Sequence, residues 1–204
     1  MILPAPVFDV IPGELPGARI ARIVRAYDGC RLHDPGTQLQ HPRIWELAAL
    51  VGRGVNDQQM VTWQTNCATF ALGVLSAAGL PCGPATKIGE AFSDLVRIGY
   101  SLNAWQASRP ENIADAAHPG DYPVGALLWY RLDGTNDDHV EFFMGRALDG
   151  KMLHGGGGRP DNAITLAEGE VDWSWGRPVW RWLDPALLGL EVIEEAAQDG
   201  EPHT

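Results

Sequence analysis

Cysteine and histidine are the residue types in this chain best placed for nucleophilic chemistry, and their positions suggest which of them take part. Cys67 stands where the polar stretch Trp63–Asn66 gives way to the apolar run Ala68–Leu80. Thr65 or Asn66 can act as N-cap, which puts Cys67 in the first turn of a helix. Unpaired backbone N–H groups and the helix dipole favour a thiolate there, so Cys67 is read as a nucleophile. Of six histidines, His33, His41, His118 and His203 fall in loop-like or terminal stretches, where solvation is the default reading. His139 opens an apolar strand and His154 closes the strand that returns beside it. A histidine at a strand mouth can meet a helix-borne cysteine, take its proton, and return it to a leaving amine. A third polar group then orients the imidazole, and His154 is the candidate.

An acyl-transfer site also needs two donors for the oxyanion. The Cys67 backbone N–H supplies one, and the side chain of Gln64, Gln58 or Gln59 is a candidate for the second. Each assignment has a plainer alternative. Cys67 can be a small core residue, His139 an edge histidine, and His154 a strand end bonded to a carbonyl. A metal reading is also open, with His139 and His154 sharing a zinc with Asp137, Asp138 or Asp149. It leaves the position of Cys67 unexplained, and no cofactor is expected. Gly155–Gly158 lacks the Gly-Lys-Ser/Thr ending and the following helix of a phosphate loop, so it reads as a cleft rim. Trp63, Trp129, Trp173, Trp175, Trp180 and Trp182 are candidates for lining a groove, with core packing as the default.

The elements that must position these residues follow from periodicity. Residues 1–18 are rich in Pro and Gly and read as an extended arm, and Ile20–Ala26 as a short strand or helix. Pro42–Gly52 reads as a helix, with Ile44, Leu47, Ala48 and Val51 on one face. The Cys67 helix is apolar nearly all round, which marks it as buried, and it stops at Gly79-Leu80-Pro81. Thr86 caps another helix whose face is Ile88, Ala91, Phe92, Leu95 and Gly99. Residues 103–124 read as a long loop that forms a cleft wall. Strands are expected at Ala126–Leu132, His139–Gly145, Lys151–His154, Ala163–Leu166 and Val179–Leu183, with Asp149-Gly150 as a hairpin turn. Helices first and an antiparallel meander after them define an α+β domain. The expected division is 1–57 as an N-terminal extension and helix within the same unit, 58–185 as the catalytic domain, and 186–204 as an acidic tail, frayed beyond Glu191.

Composition excludes other classes. With 204 residues and 45% hydrophobic content the chain can build one sizeable core. A net charge of −11 argues against nucleic acid and gives no reason to expect an anionic membrane. The three cysteines, Cys30, Cys67 and Cys82, form neither a disulfide framework nor a CxxC pair. Cys30 and Cys82 can pair in an oxidising compartment, but two thiols are the expectation. Residues 1–20 lack a basic start followed by an apolar core, and no apolar run approaches the ~20 residues of a membrane span. A soluble protein, cytoplasmic as made, is therefore expected.

The segments NCATF, GALLWY, HVEFFMG and KMLHG, in that order, resemble the NlpC-type and CHAP-type cell-wall peptidases and amidases, which have a papain-like core. The resemblance covers roughly residues 58–183. It implies a cysteine hydrolase that cleaves an amide bond in peptidoglycan peptide stems, with Cys67 as nucleophile, His139 as base and His154 as orienting residue. Asn66 replaces the acidic residue usual before the cysteine, and Ala68-Thr69 replaces Ser-Gly, at positions that help such enzymes recognise the peptide. Arg146-Ala147-Leu148 lengthen the hairpin, which makes Asp149 the reserve for the third role. NCAT also resembles amidase effectors delivered by bacterial secretion systems. That implies delivery to the wall by phage or secretion machinery, a delivery or immunity partner, and a monomer. Cysteine before histidine disfavours the permuted acyltransferase arrangement. A binding module with a dead site on the same fold is the competing reading.

Overall fold

The computed structural model describes residues 8–29, 67–80, 91–107, 122–131, 138–148, 152–156, 165–169, 173–174 and 177–194. Helix α1 spans Pro16–Ala26. Proline at its first turn lacks only an N–H that the helix would leave unpaired anyway. Ile20, Ile23 and Val24 fall on one buried face together with Arg19. The helix therefore starts within the stretch expected to be an extended arm, and the strand alternative for Ile20–Ala26 does not hold.

Helix α2, Cys67–Ala77, is the buried helix expected from its all-round apolar composition. Ala68, Phe70, Ala71, Leu72, Val74 and Leu75 are all buried. It ends as the Gly79-Leu80-Pro81 signal requires. Gly79 takes φ +105°, Leu80 N–H donates to Leu75 O at 3.0 Å and Gly79 N–H to Ser76 O at 3.0 Å. That is a Schellman cap, which needs a residue free to adopt the left-handed region. Helix α3 spans Ala91–Ser101. Its Gly99 lies so close to Trp105 that a Cβ would come 2.2 Å from the indole nitrogen.

The strands are β1 (Trp105–Ala107), β2 (Leu127–Tyr130), β3 (His139–Arg146), β4 (Met152–Gly156), β5 (Thr165–Gly169), β6 (Trp173–Ser174) and β7 (Arg177–Leu183). They pair antiparallel in the order β1-β7-β2-β3-β4-β5, and β6 pairs with β7. The β2–β5 meander is the one expected, and the fold is α+β. β1 lies inside the stretch expected to be a loop. It extends the sheet beyond β7, which itself returns to the far side of β2. Period-2 alternation sorts β2 and β3 into two faces. Leu127, Trp129, Val140, Phe142 and Met144 pack into the main core with α1, α2 and α3. Leu128, Tyr130 and Phe143 join Tyr122, Ala126 and Val179 in a smaller cluster. The Pro42–Gly52 helix and the Thr86 cap fall outside the described residues.

Arg19 ties both ends of the described chain to this core. It is 1% exposed. It donates to Ala78 O beyond the end of α2 at 3.0 Å and to Glu191 O at 2.7 Å. Its Nε lies 3.6 Å from Glu14. Leu188 and Leu190 are buried in the same core, and Gly13 N–H donates to Ile193 O at 2.8 Å. The described part of the 186–204 tail is therefore packed, because Leu188 and Leu190 supply apolar surface and Arg19 caps a carbonyl. Arg19→Met keeps the apolar stem but strands two carbonyls. It is expected to cost about 3–5 kcal/mol, since hydrogen bonds to a buried charge are the strong ones. Urea unfolding would show this as a lower midpoint with an unchanged slope. No helix among the described residues is long and apolar enough to cross a membrane.

Candidate active site

Cys67 is the first residue of α2 and is half-buried at its N-terminal end, with a thiol free of any disulfide. Its backbone N–H belongs to the first turn, where no carbonyl of the same helix can accept it. His139, the first residue of β3, makes a side-chain hydrogen bond with Cys67. Its cross-strand partner is Tyr130, whose ring centre lies 6.0 Å from the imidazole. Helix start and strand start thus meet at one end of the sheet.

Glu141 is the residue that the sequence reading missed. It follows His139 by two positions on β3, so both side chains leave the same side of the strand. It is 1% exposed. Its Oε1 lies 3.1 Å from His139 Nε2, and its Oε2 is bonded by His154 Nδ1. An ionised carboxylate only accepts, so His154 carries its proton on Nδ1 and donates. Gly156 of β4 leaves the room this carboxylate needs, since a Cβ there would come 2.9 Å from Glu141 Cγ. The signal was present in HVEFFMG, where one acidic residue interrupts an otherwise apolar strand two places after a histidine.

The electrostatics follow from this bridging. Burial penalises a charge on His139, but hydrogen bonding and attraction from Cys67 and Glu141 outweigh it. The imidazole is raised from 6.5 to about 9. Burial also works against a charged Glu141, and its bonds to His139 and His154 outweigh that, holding the carboxyl well below its ordinary 4.5. Each histidine needs the anion, and the buried anion needs both histidines.

The structure therefore brings Cys67, His139 and His154 into one cluster, but His154 reaches His139 through Glu141. Gln64, Asn66, Gln58, Gln59 and Asp149 lie outside the described residues, as do Cys30, Cys82, Trp63 and Trp175. For the metal reading, Asp137 and Asp149 also lie outside. Asp138 is engaged elsewhere, accepting from Trp129 Nε1 at 3.0 Å and standing 3.9 Å from Arg131. Among the described residues no group of three His, Cys, Asp or Glu side chains is arranged to hold a metal ion. Trp129 and Trp180 meet edge to face at 4.7 Å beside the main core. Trp182 packs against the smaller cluster. Compared with known proteins, the chain matches no protein-family model, no curated protein and no solved structure.

Proposed function

We propose that this chain is a cysteine hydrolase with a papain-like core of the NlpC or CHAP kind, cleaving an amide bond in peptidoglycan peptide stems. The observation that carries this reading is the hydrogen-bonded Cys67–His139 pair, set where a helix start meets a strand start and backed by the buried Glu141 carboxylate. His139 faces Glu141 with Nε2, which leaves Nδ1 to take the proton from the Cys67 thiol. The sulfur attacks the amide carbon, and the Cys67 backbone N–H donates to the oxygen that becomes negative. The tetrahedral intermediate collapses as His139 returns its proton to the leaving amine, giving a thioester. Water then attacks the thioester, with His139 again taking the proton, and the acid product leaves. Glu141 stabilises the imidazolium in both halves and holds its ring plane.

The test is mass spectrometry of purified peptidoglycan after digestion, with Cys67→Ser as control. New amine termini at one amide bond are expected with the native chain and none with Cys67→Ser. Intact peptide stems in both digests, with the polymer retained on the protein, would show a binding module instead. Activity that survives Cys67→Ser but is lost to a chelator would restore the metal reading.

A further inference from the structure

Two arginines share one indole on the sheet that carries His139. The guanidinium carbon of Arg131 lies 4.8 Å from the Trp180 ring centre, and that of Arg181 lies 4.7 Å from it. Arg181 also stands 5.6 Å over the ring of Tyr100, which is 51% exposed at the end of α3. Arg131 directly follows Tyr130, the cross-strand partner of His139. Arg181 pairs with Trp129 across β2 and β7, and the β-bulge in that register falls beside Trp180.

The arrangement holds like charges together with a single long ion pair to offset them among the described residues. Both cations sit within about 10 Å of one another, closer than a Debye length at ordinary ionic strength, so they repel. Among the described residues Asp138 is the acid that pairs with Arg131, yet it stands 3.9 Å away and its same oxygen already accepts from Trp129 at 3.0 Å. Among the described residues Arg181 Nε is buried with no hydrogen-bond partner, and leaving such a charged donor unmatched is costly. By contrast, two other arginines meet carboxylates directly. Arg22 makes two 2.7 Å bonds to Glu14, and Arg97 meets Asp94 at 3.2 Å. On a chain of net charge −11, two guanidiniums held on one indole, with one long ion pair between them among the described residues, mark a place for an anion. Rings behind each guanidinium fix its plane and leave its N–H edges for a planar, two-oxygen acceptor.

We propose that Arg131 and Arg181, stacked on Trp180, form a subsite that binds a carboxylate of the peptide substrate beside the bond that Cys67 attacks. This rests on the amide-hydrolase reading. A peptide offers carboxylates on acidic side chains and at its C-terminus, and the subsite would set which amide bond reaches the thiol by holding one of them.

Binding separates this proposal from turnover. Three peptides, acetyl-Ala-Glu-Ala-amide, acetyl-Ala-Gln-Ala-amide and acetyl-Ala-Gln-Ala with a free C-terminus, would be titrated calorimetrically into the full chain carrying Cys67→Ala. One or both carboxylate peptides should bind at least 10-fold more tightly than the neutral peptide, and the stronger of them names the source of the carboxylate. The preference should fall to about 1 in Arg131→Gln and Arg181→Gln, and to an intermediate value in Arg181→Lys, which keeps the charge but not the planar fork. Circular dichroism would confirm that each variant is folded, and a Gln variant that is not would be replaced by Met, which keeps the stem and also removes the charge. Equal binding of all three peptides, no binding of any, or a preference that survives both Gln variants would overturn the subsite. A preference that needs both arginines in a chain that cleaves no amide would keep the subsite and remove the hydrolase.

Discussion

Cys67→Ala is expected to lower amide hydrolysis by roughly 10⁶-fold, the loss seen when the nucleophile of a serine triad is deleted. The fold should survive, because Cys67 is half-buried at the rim of the core and alanine is a good helix former. His139→Ala should cost a similar factor, since without it nothing takes the thiol proton or returns one to the leaving amine. The two losses should not add, and the double variant should be no worse than either alone. Steady-state rates of the three variants, each checked for native circular dichroism, decide this. Near-normal turnover in His139→Ala would remove it as the base. The same pairing predicts chemical selectivity. Iodoacetamide at neutral pH should modify Cys67 before Cys30 and Cys82, and His139→Ala should slow the reaction at Cys67 alone. Equal rates at all three thiols would count against a nucleophilic role.

The parts of the fold legible in the sequence are those whose pattern is local. β2, β3 and β4 follow from alternating or apolar runs around Asp149-Gly150, and α2 from one uninterrupted apolar stretch with a Gly stop. β1 was not legible, because its three residues gain strand character only by pairing with β7, more than seventy positions later. Helix α1 was obscured by Arg19, a charged residue at a core position. Its burial makes sense only once the Ala78 and Glu191 carbonyls are known to meet it. Acidic composition suggests a loose tail, and Leu188 and Leu190 carry the packing that composition hides. At the candidate site, Cys67 and His139 were legible because helix starts and strand mouths are readable in one dimension. The link from His139 to His154 was not, because Glu141 reads in sequence as one polar interruption. Its meaning depends on a histidine across the hairpin and on Gly156 opposite it.

Glu141→Gln is expected to give the second largest loss and to change the pH profile in a direction set by charge. The carboxylate accepts from His154 Nδ1 on one side and forms an ion pair with His139 Nε2 at 3.1 Å on the other. An amide offers one oxygen and one NH₂, so only one histidine can keep its donor role. If the NH₂ turns to His139, Nε2 must accept it, the proton moves to Nδ1, and the ring can no longer take the thiol proton. A loss of up to about 10⁴-fold is expected, the cost of the wrong tautomer in a comparable triad. Because the native site raises His139 to about 9, the imidazolium that protonates the leaving amine persists until pH rises through that value. The alkaline limb of kcat/KM should therefore lie near pH 9. Removing the Glu141 charge leaves burial less opposed, so the limb should move to lower pH in Glu141→Gln. Gly156→Ala should shift it the same way with a smaller loss, by crowding Glu141 out of line. His154 acts one step removed. His154→Ala should cost less than Glu141→Gln, and His154→Asn or His154→Gln should recover part of the loss through an amide N–H that donates to Oε2. Unchanged rate and pH profile in Glu141→Gln, with His154→Ala crippled, would mean that His154 orients His139 without the carboxylate between them.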